Sequence, residues 1–141
     1  MILFGFQHCG KSTFGAQLAE HLQMPFLDTD LLIEERVGDY RALWRQDPLE
    51  FRKVEKEVIK SLPAKTIIAL GGGAILDREN REHLETLAPL VYIKIPKERL
   101  KARYADPLFF EKIYAERFPL YEAIPRTMII DPEEFVWQAI R

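Results

Sequence analysis

The sequence predicts an α/β domain built on a parallel sheet with helices on both faces. Two observations carry this reading. Apolar, β-branched runs alternate with helical patterns along all 141 residues, the arrangement of parallel strands joined by helical crossovers. Glycine-rich or acidic stretches then follow several strands, at the carboxyl ends where such sheets bind ligands. No linker, repeat or low-complexity stretch breaks the alternation, so residues 1–141 read as a single domain.

Each element follows from its own pattern. "MILF" reads as a buried strand, and "KSTFGAQLAEHL" as a helix whose Phe14, Leu18 and Leu22 recur at steps of four. "PFLDTD" is a short second strand. "LLIEERV" and the longer "PLEFRKVEKEVIKSL" read as helices. "TIIAL" is a strand buried on both faces. "RENREHLETL" is a polar helix, "LVYIKI" a strand and "KERLKARY" a short helix. "LFFEKIYAERFPLYEAI" is mostly helical with an interruption at Pro119. "TMII" is the last strand, and "PEEFVWQAI" a closing helix with Pro132 near its start.

Bulk properties exclude several functions. A net charge of -2 argues against nucleic acid or an anionic membrane surface as the main partner. One cysteine, Cys9, excludes a disulfide within the chain and makes the cytoplasm the expected compartment. "MILFGF" lacks the charged start of a signal peptide, and no apolar run approaches membrane-span length. His8, His21 and His83 are scattered without metal-ligand spacing.

The chemistry clusters after the strands. "GFQHCGKST" fits Gly-x4-Gly-Lys-Ser/Thr between a strand and a helix. Gly5 and Gly10 let the loop turn tightly, so that its N–H groups and the helix start form an anion cradle. Lys11 adds a cation for the outer phosphates of a nucleoside triphosphate, and Ser12 is a ligand for Mg²⁺. Thr13 extends the motif, while His8 and Cys9 occupy free loop positions where the backbone matters. In "FLDTD", Asp28 and Asp30 point the same way if strand geometry continues. One carboxylate then suits the metal's water shell and the other an acceptor hydroxyl, whose proton an Asp can take; one of the two also caps the next helix. Gly71, Gly72 and Gly73 follow the third strand, where removal of every Cβ lets a small ligand reach backbone N–H groups. In "EFRKVE", Arg52 and Glu55 are helix neighbours. A braced arginine grips a carboxylate through two points, although a surface pair reads equally well from this pattern. Arg117 in "ERFPLYE" is either aimed inward or solvated.

Taken together, "GFQHCGKST", "FLDTD", "EFRKVE", "ALGGGAI" and "ERFPLYE" resemble the shikimate kinase family, within the nucleoside-monophosphate-kinase-like P-loop group. The resemblance runs over nearly all of the chain. It implies a three-layer α/β/α P-loop kinase fold with five parallel strands in the order 2-3-1-4-5. It also implies transfer of phosphate from ATP, with Mg²⁺, to the 3-hydroxyl of shikimate in aromatic amino acid biosynthesis. Asp30 is then the acceptor-hydroxyl ligand and base, and Lys11 the catalytic cation. Asp28 orders a metal-bound water. Arg52 and Arg117 hold the shikimate carboxylate, with Gly71, Gly72 and Gly73 beside it. His8, Cys9, Gly10, Lys11, Ser12, Thr13 and Arg103 contact the nucleotide. The shikimate-binding region spans about residues 28–60 and the lid about 103–110. A monomer without nucleic-acid or membrane partners is expected.

The chain departs from the family pattern at the lid. "ARYADPLFFEK" is short, and Asp106 stands where an arginine that closes over ATP is expected. Asp106 is expected to cap a helix starting near Pro107. Arg103 is the nearest substitute in sequence, with a nearly rigid lid. Arg41 and Arg45 approach only if the atypical segment "VGDYRALWRQDP" folds over the site. Two alternatives stand beside the main reading: a gluconate kinase-like enzyme of the same fold, and a nucleotide-binding homologue weakened in catalysis.

Overall fold

Five short strands form one parallel sheet: β1 (Ile2–Phe4), β2 (Phe26–Asp28), β3 (Ile67–Ala69), β4 (Leu90–Ile93) and β5 (Met128–Ile130), in the order β2-β3-β1-β4-β5. The structure, a computed structural model, describes residues 1–139. Register aligns Leu3 with Ala69 and Val91, and Asp28 with Ala69. The carboxyl ends of β1, β2 and β3 therefore lie side by side. Every residue of β1, β3 and β4 is buried, as expected of strands covered on both faces. Chain direction across the sheet reverses beside β1, the position where doubly wound sheets open a crevice.

Seven helices cover the sheet among the described residues: α1 (Lys11–Leu22), α2 (Thr29–Val37), α3 (Tyr40–Gln46), α4 (Pro48–Lys60), α5 (Arg78–Leu87), α6 (Lys97–Lys101) and α7 (Pro107–Ala123). The main core gathers the strands with Phe14, Leu18, Leu84 and Tyr121. A second, smaller core joins Ile33 of α2 to Phe51, Val54 and Val58 of α4, with Tyr40 and Leu43 of α3 packed against it. Among the described residues no helix is long and apolar enough to cross a membrane.

Three local expectations are corrected, and one segment for which the sequence predicts no element gains a helix. Strand geometry does not continue beyond Asp28: α2 begins at Thr29, so Asp28 caps the helix and Asp30 stands in its first turn. The segment at 38–47 holds a helix, α3, that no apolar period announced. Pro119 does not interrupt α7, which runs through it to Ala123. A helix-interior proline costs about 3 kcal/mol; aromatic packing of Phe110, Tyr114, Phe118 and Tyr121 on the core outweighs it. The closing helix expected over 132–140 is not formed in its described part. Residues 132–134 make a turn, and Trp137–Ala139 a single 3-10 turn. Asp131 accepts from Glu133 N at 3.0 Å and its carbonyl from Glu134 N at 3.1 Å, while Phe135 and Trp137 dock on Phe14.

Candidate active site

The loop after β1 wraps into the start of α1. Gly5 (φ 147°) faces the Ile93 carbonyl so closely that a Cβ would collide with it, and Gly10 (φ 101°) sits at the left-handed N-cap of α1. Both conformations favour glycine. No side chain caps α1, so the donors of its first turn remain for an anion. Lys11 is buried, and its Nζ donates to the carbonyls of Gly5 (2.8 Å) and Phe6 (2.7 Å). Cys9 is also buried, whereas the exposed His8 offers its carbonyl to Arg103 Nη1 at 2.9 Å. Burial and the charges of Arg41, Lys11 and Arg103 hold the His8 imidazole below its ordinary pKa. Ser12 and Thr13 line the 450 Å³ cavity that this loop borders.

Ser12 Oγ donates to Asp28 Oδ2, while Asp28 Oδ1 accepts from Asp30 N at 2.9 Å. Asp28 thus joins the helix cap to the phosphate loop. Asp30 lines both that cavity and a neighbouring one of 230 Å³. Burial, then the charge of Asp28, pushes its carboxyl above the ordinary range; Lys11, Arg41 and Arg52 pull the other way.

The triple glycine lines the 230 Å³ cavity together with Asp30, Arg52 and Arg117. Each glycine faces a different side chain. A Cβ on Gly71 would land on the Asp30 carboxylate, one on Gly72 would lie 3.1 Å from Arg117 Nη1, and one on Gly73 2.6 Å from Arg52 Nη2. Missing Cβ atoms therefore make room for an acid and two guanidiniums as well as for a ligand. Arg52 Nη1 donates to Glu55 Oε1 at 2.8 Å. Glu55 is 2% exposed on its side chain. Burial raises its pKa and Arg52 restrains the rise.

Two buried residues that the motifs did not single out anchor the glycines. Thr29 Oγ1 accepts from Gly71 N at 2.9 Å, and the Tyr121 hydroxyl donates to the Gly72 carbonyl. Burial pushes the Tyr121 phenol up to about 12, so it remains a donor. Their signal lay inside quoted motifs, as the residue between two aspartates and the tyrosine after Pro-Leu. Tyr40, Trp44 and Phe109 also line the 230 Å³ cavity, with no spacing to reveal it.

Where the lid is expected, α6 ends at Lys101 and α7 starts at Pro107, leaving five connecting residues. Asp106 caps α7, accepting from Leu108 N (3.0 Å) and Phe109 N (3.1 Å). Arg103 Nη2 reaches Glu133 Oε1 at 2.6 Å, and the Tyr104 hydroxyl donates to the Gln7 carbonyl at 3.1 Å. The segment is thus tied to the phosphate loop.

An acid and two arginines beside a phosphate cradle suit phosphoryl transfer to a hydroxylated carboxylate. A family model described as shikimate kinase matches residues 7–131. The chain belongs to the shikimate kinase family. The shikimate kinase of Francisella tularensis subsp. holarctica (strain FTNF002-00 / FTA) is 36% identical over 146 residues, covering 92% of this chain and 83% of that protein. For the shikimate kinase of Vibrio vulnificus (strain YJ016) the identity is 38% over 140 residues, covering 88% and 81%. The Acinetobacter baumannii shikimate kinase, solved in complex with shikimate, matches with a TM-score of 0.82 at 27% identity, over 98% of this chain and 86% of that one. The order β2-β3-β1-β4-β5 is that of the P-loop shikimate kinase fold. As a shikimate kinase family member the chain is an ATP-dependent kinase with an alcohol acceptor.

Proposed function

We infer that the chain transfers the γ-phosphoryl group of ATP to the 3-hydroxyl of shikimate, giving shikimate 3-phosphate and ADP. The observation that carries this reading is the glycine triplet, across which Asp30, Arg117 and Arg52 converge in one cavity. One carboxylate-binding pair and one hydroxyl acceptor match a ligand with a single carboxylate and several hydroxyls. A gluconate kinase-like acceptor leaves the triplet and the second arginine without a use.

The residues divide the work. Arg52, braced by Glu55, and Arg117 hold the shikimate carboxylate through planar two-point contacts. This orients the 3-hydroxyl toward Asp30. Asp30 accepts the hydroxyl proton as the oxygen attacks the γ-phosphorus, with ADP leaving on the far side. Its raised pKa makes it a stronger base than an ordinary aspartate and keeps the proton transfer local. Lys11 and the first-turn N–H groups of α1 hold the phosphates. Ser12 and Asp28, whose oxygens already meet, form a hard-oxygen pair suited to Mg²⁺, Asp28 through a water; the ion would screen the triphosphate charge. Arg103, beside Pro132 at the outer wall of the loop, contacts the base of the nucleotide. Residues 28–60 form the shikimate-binding region, a reading supported by their separate small core.

The test is ADP release from ATP and Mg²⁺ with and without shikimate. Release that depends on shikimate is expected. Equal turnover with gluconate or a nucleoside monophosphate would falsify the assignment.

A further inference from the structure

Phosphoryl transfer places growing negative charge between nucleotide and acceptor, and a cation positioned there stabilises the transition state. The cations around the site are mostly committed elsewhere. Arg103 is held by the His8 carbonyl and Glu133. Arg52 is held by Glu55, and Arg117 lies against Gly72 and Tyr121. Lys11 belongs to the phosphate loop. Asp106 is a helix cap and supplies no positive charge.

One basic residue lies at the boundary. The 450 Å³ cavity on the phosphate side and the 230 Å³ cavity on the acceptor side share Gln7, Asp30, Tyr40, Arg41 and Gly72 in their walls, and Arg41 is the one cation of these five. Its charge also reaches the phosphate loop, where it helps hold the His8 imidazole below its ordinary pKa. Among the described residues no carboxylate lies within ion-pair distance of Arg41; its guanidinium sits 5.6 Å from the Tyr40 ring centroid. Tyr40 in turn packs on the small core, and Asp39 caps α3 at 3.0 Å from Ala42 N. The backbone of α3 is therefore held on the small core, while the exposed Arg41 side chain has the Tyr40 hydroxyl as a hydrogen-bond partner and no carboxylate to neutralise it.

Helix stability does not account for this residue. Arg41 occupies the first turn of α3, where no acidic residue stands. A cation there meets the positive end of the helix dipole, which is unfavourable by a few tenths of a kcal/mol. A solvated surface arginine would serve stability better on the last turn.

We propose that Arg41 is the catalytic cation that contacts the transferred phosphoryl group between the two cavities. Its planar fork donates to the equatorial oxygens as charge develops on them. The proposal rests on the kinase reading above. It gives the segment 38–47 a role in place of the shortened lid.

The test compares wild type, Arg41→Gln and Arg41→Lys in two assays. The first is steady-state ADP release with shikimate. Arg41→Gln is expected to lower kcat about 100-fold or more, with KM for ATP and for shikimate changed less than about 3-fold; Arg41→Lys keeps charge without the fork and falls between. The second is calorimetric binding of ADP and Mg²⁺ in the presence of shikimate, with and without aluminium fluoride as a mimic of the transferring phosphoryl group. Wild type should tighten with fluoroaluminate, and Arg41→Gln should lose that tightening while binding ADP alone as before. An unchanged kcat, or a rise in shikimate KM alone, overturns the assignment of Arg41. Absence of shikimate-dependent release in wild type overturns the kinase reading itself, and is seen before any variant is compared. Arg36→Gln, which removes only an exposed 3.9 Å pair with Glu57, controls for loss of a nearby positive charge and should match wild type.

Discussion

Burial and the charge of Asp28 raise the pKa of Asp30, outweighing the opposite pull of Lys11, Arg41 and Arg52. A folded-state pKa raised above the unfolded value makes a group stabilising below the unfolded pKa, about 3.9 for Asp, and that contribution is lost as pH rises through the folded pKa. At neutral pH the ionised carboxylate therefore costs stability, a cost that the proposed role as base requires. Asp30→Asn keeps the shape and removes the charge. Its kcat should fall roughly 10²- to 10⁴-fold with shikimate still bound. Its Tm should lie above that of wild type at neutral pH, and the difference should shrink toward zero as pH falls to about 4. Measuring both across pH decides the point: a lower Tm at neutral pH would mean that the carboxylate holds the fold together. Gly71 belongs to the same economy of space, because the Asp30 carboxylate occupies the volume its Cβ would fill.

Capping separates α1 from the other long helices; the five-residue α6 also lacks a side-chain cap. Asp28, Asp39, Asp47, Asp77 and Asp106 accept first-turn N–H groups of α2, α3, α4, α5 and α7. The 12-residue α1 has no such cap, so its N-terminal dipole and donors face the phosphate cavity unquenched. Asp106, which stands where a lid arginine is expected, serves the start of α7. Asp106→Ala should cost about 1 kcal/mol of stability, the typical value of a lost N-cap, and leave kcat unchanged. Chemical denaturation together with steady-state kinetics checks this. A gain in kcat would show that the carboxylate repels the nucleotide instead of capping α7. The continuous path of α7 through Pro119 matters for the same reason: it holds Arg117 and Tyr121 on one rigid element against Gly72.

The described residues form two cores, and they support different parts of the candidate site. The main core fixes the sheet and the phosphate loop. The smaller core of Ile33, Phe51, Val54 and Val58 fixes α2, α3 and α4, which carry Asp30, Arg41 and Arg52. Val58 is completely buried there. Val58→Ala removes two methylene equivalents and should cost about 2 kcal/mol of stability. Because the damage falls under the acceptor side, shikimate KM should rise while ADP affinity stays at the wild-type value. Calorimetric titration of each ligand tests the division; equal loss for both would mean that the two cores act as one.

The sequence by itself determined the class of fold, most elements and the identity of the principal candidate residues. Strand and helix periods, Gly-x4-Gly-Lys-Ser and the paired aspartates are expressed over a few residues, where local backbone preference governs. Tertiary structure decided the rest. It ended β2 at Asp28, carried α7 through a proline and replaced the closing helix with a turn held by Asp131 and the docked aromatics. It also gave the glycine triplet its second meaning, since Tyr121 reaches Gly72 across 49 residues and Arg103 reaches His8 across 95. Arg41 lay in a segment without an apolar period, and only the packing of α3 on the small core brought it between the cavities. Such contacts depend on which surfaces meet after the chain has closed, and no local pattern encodes that meeting.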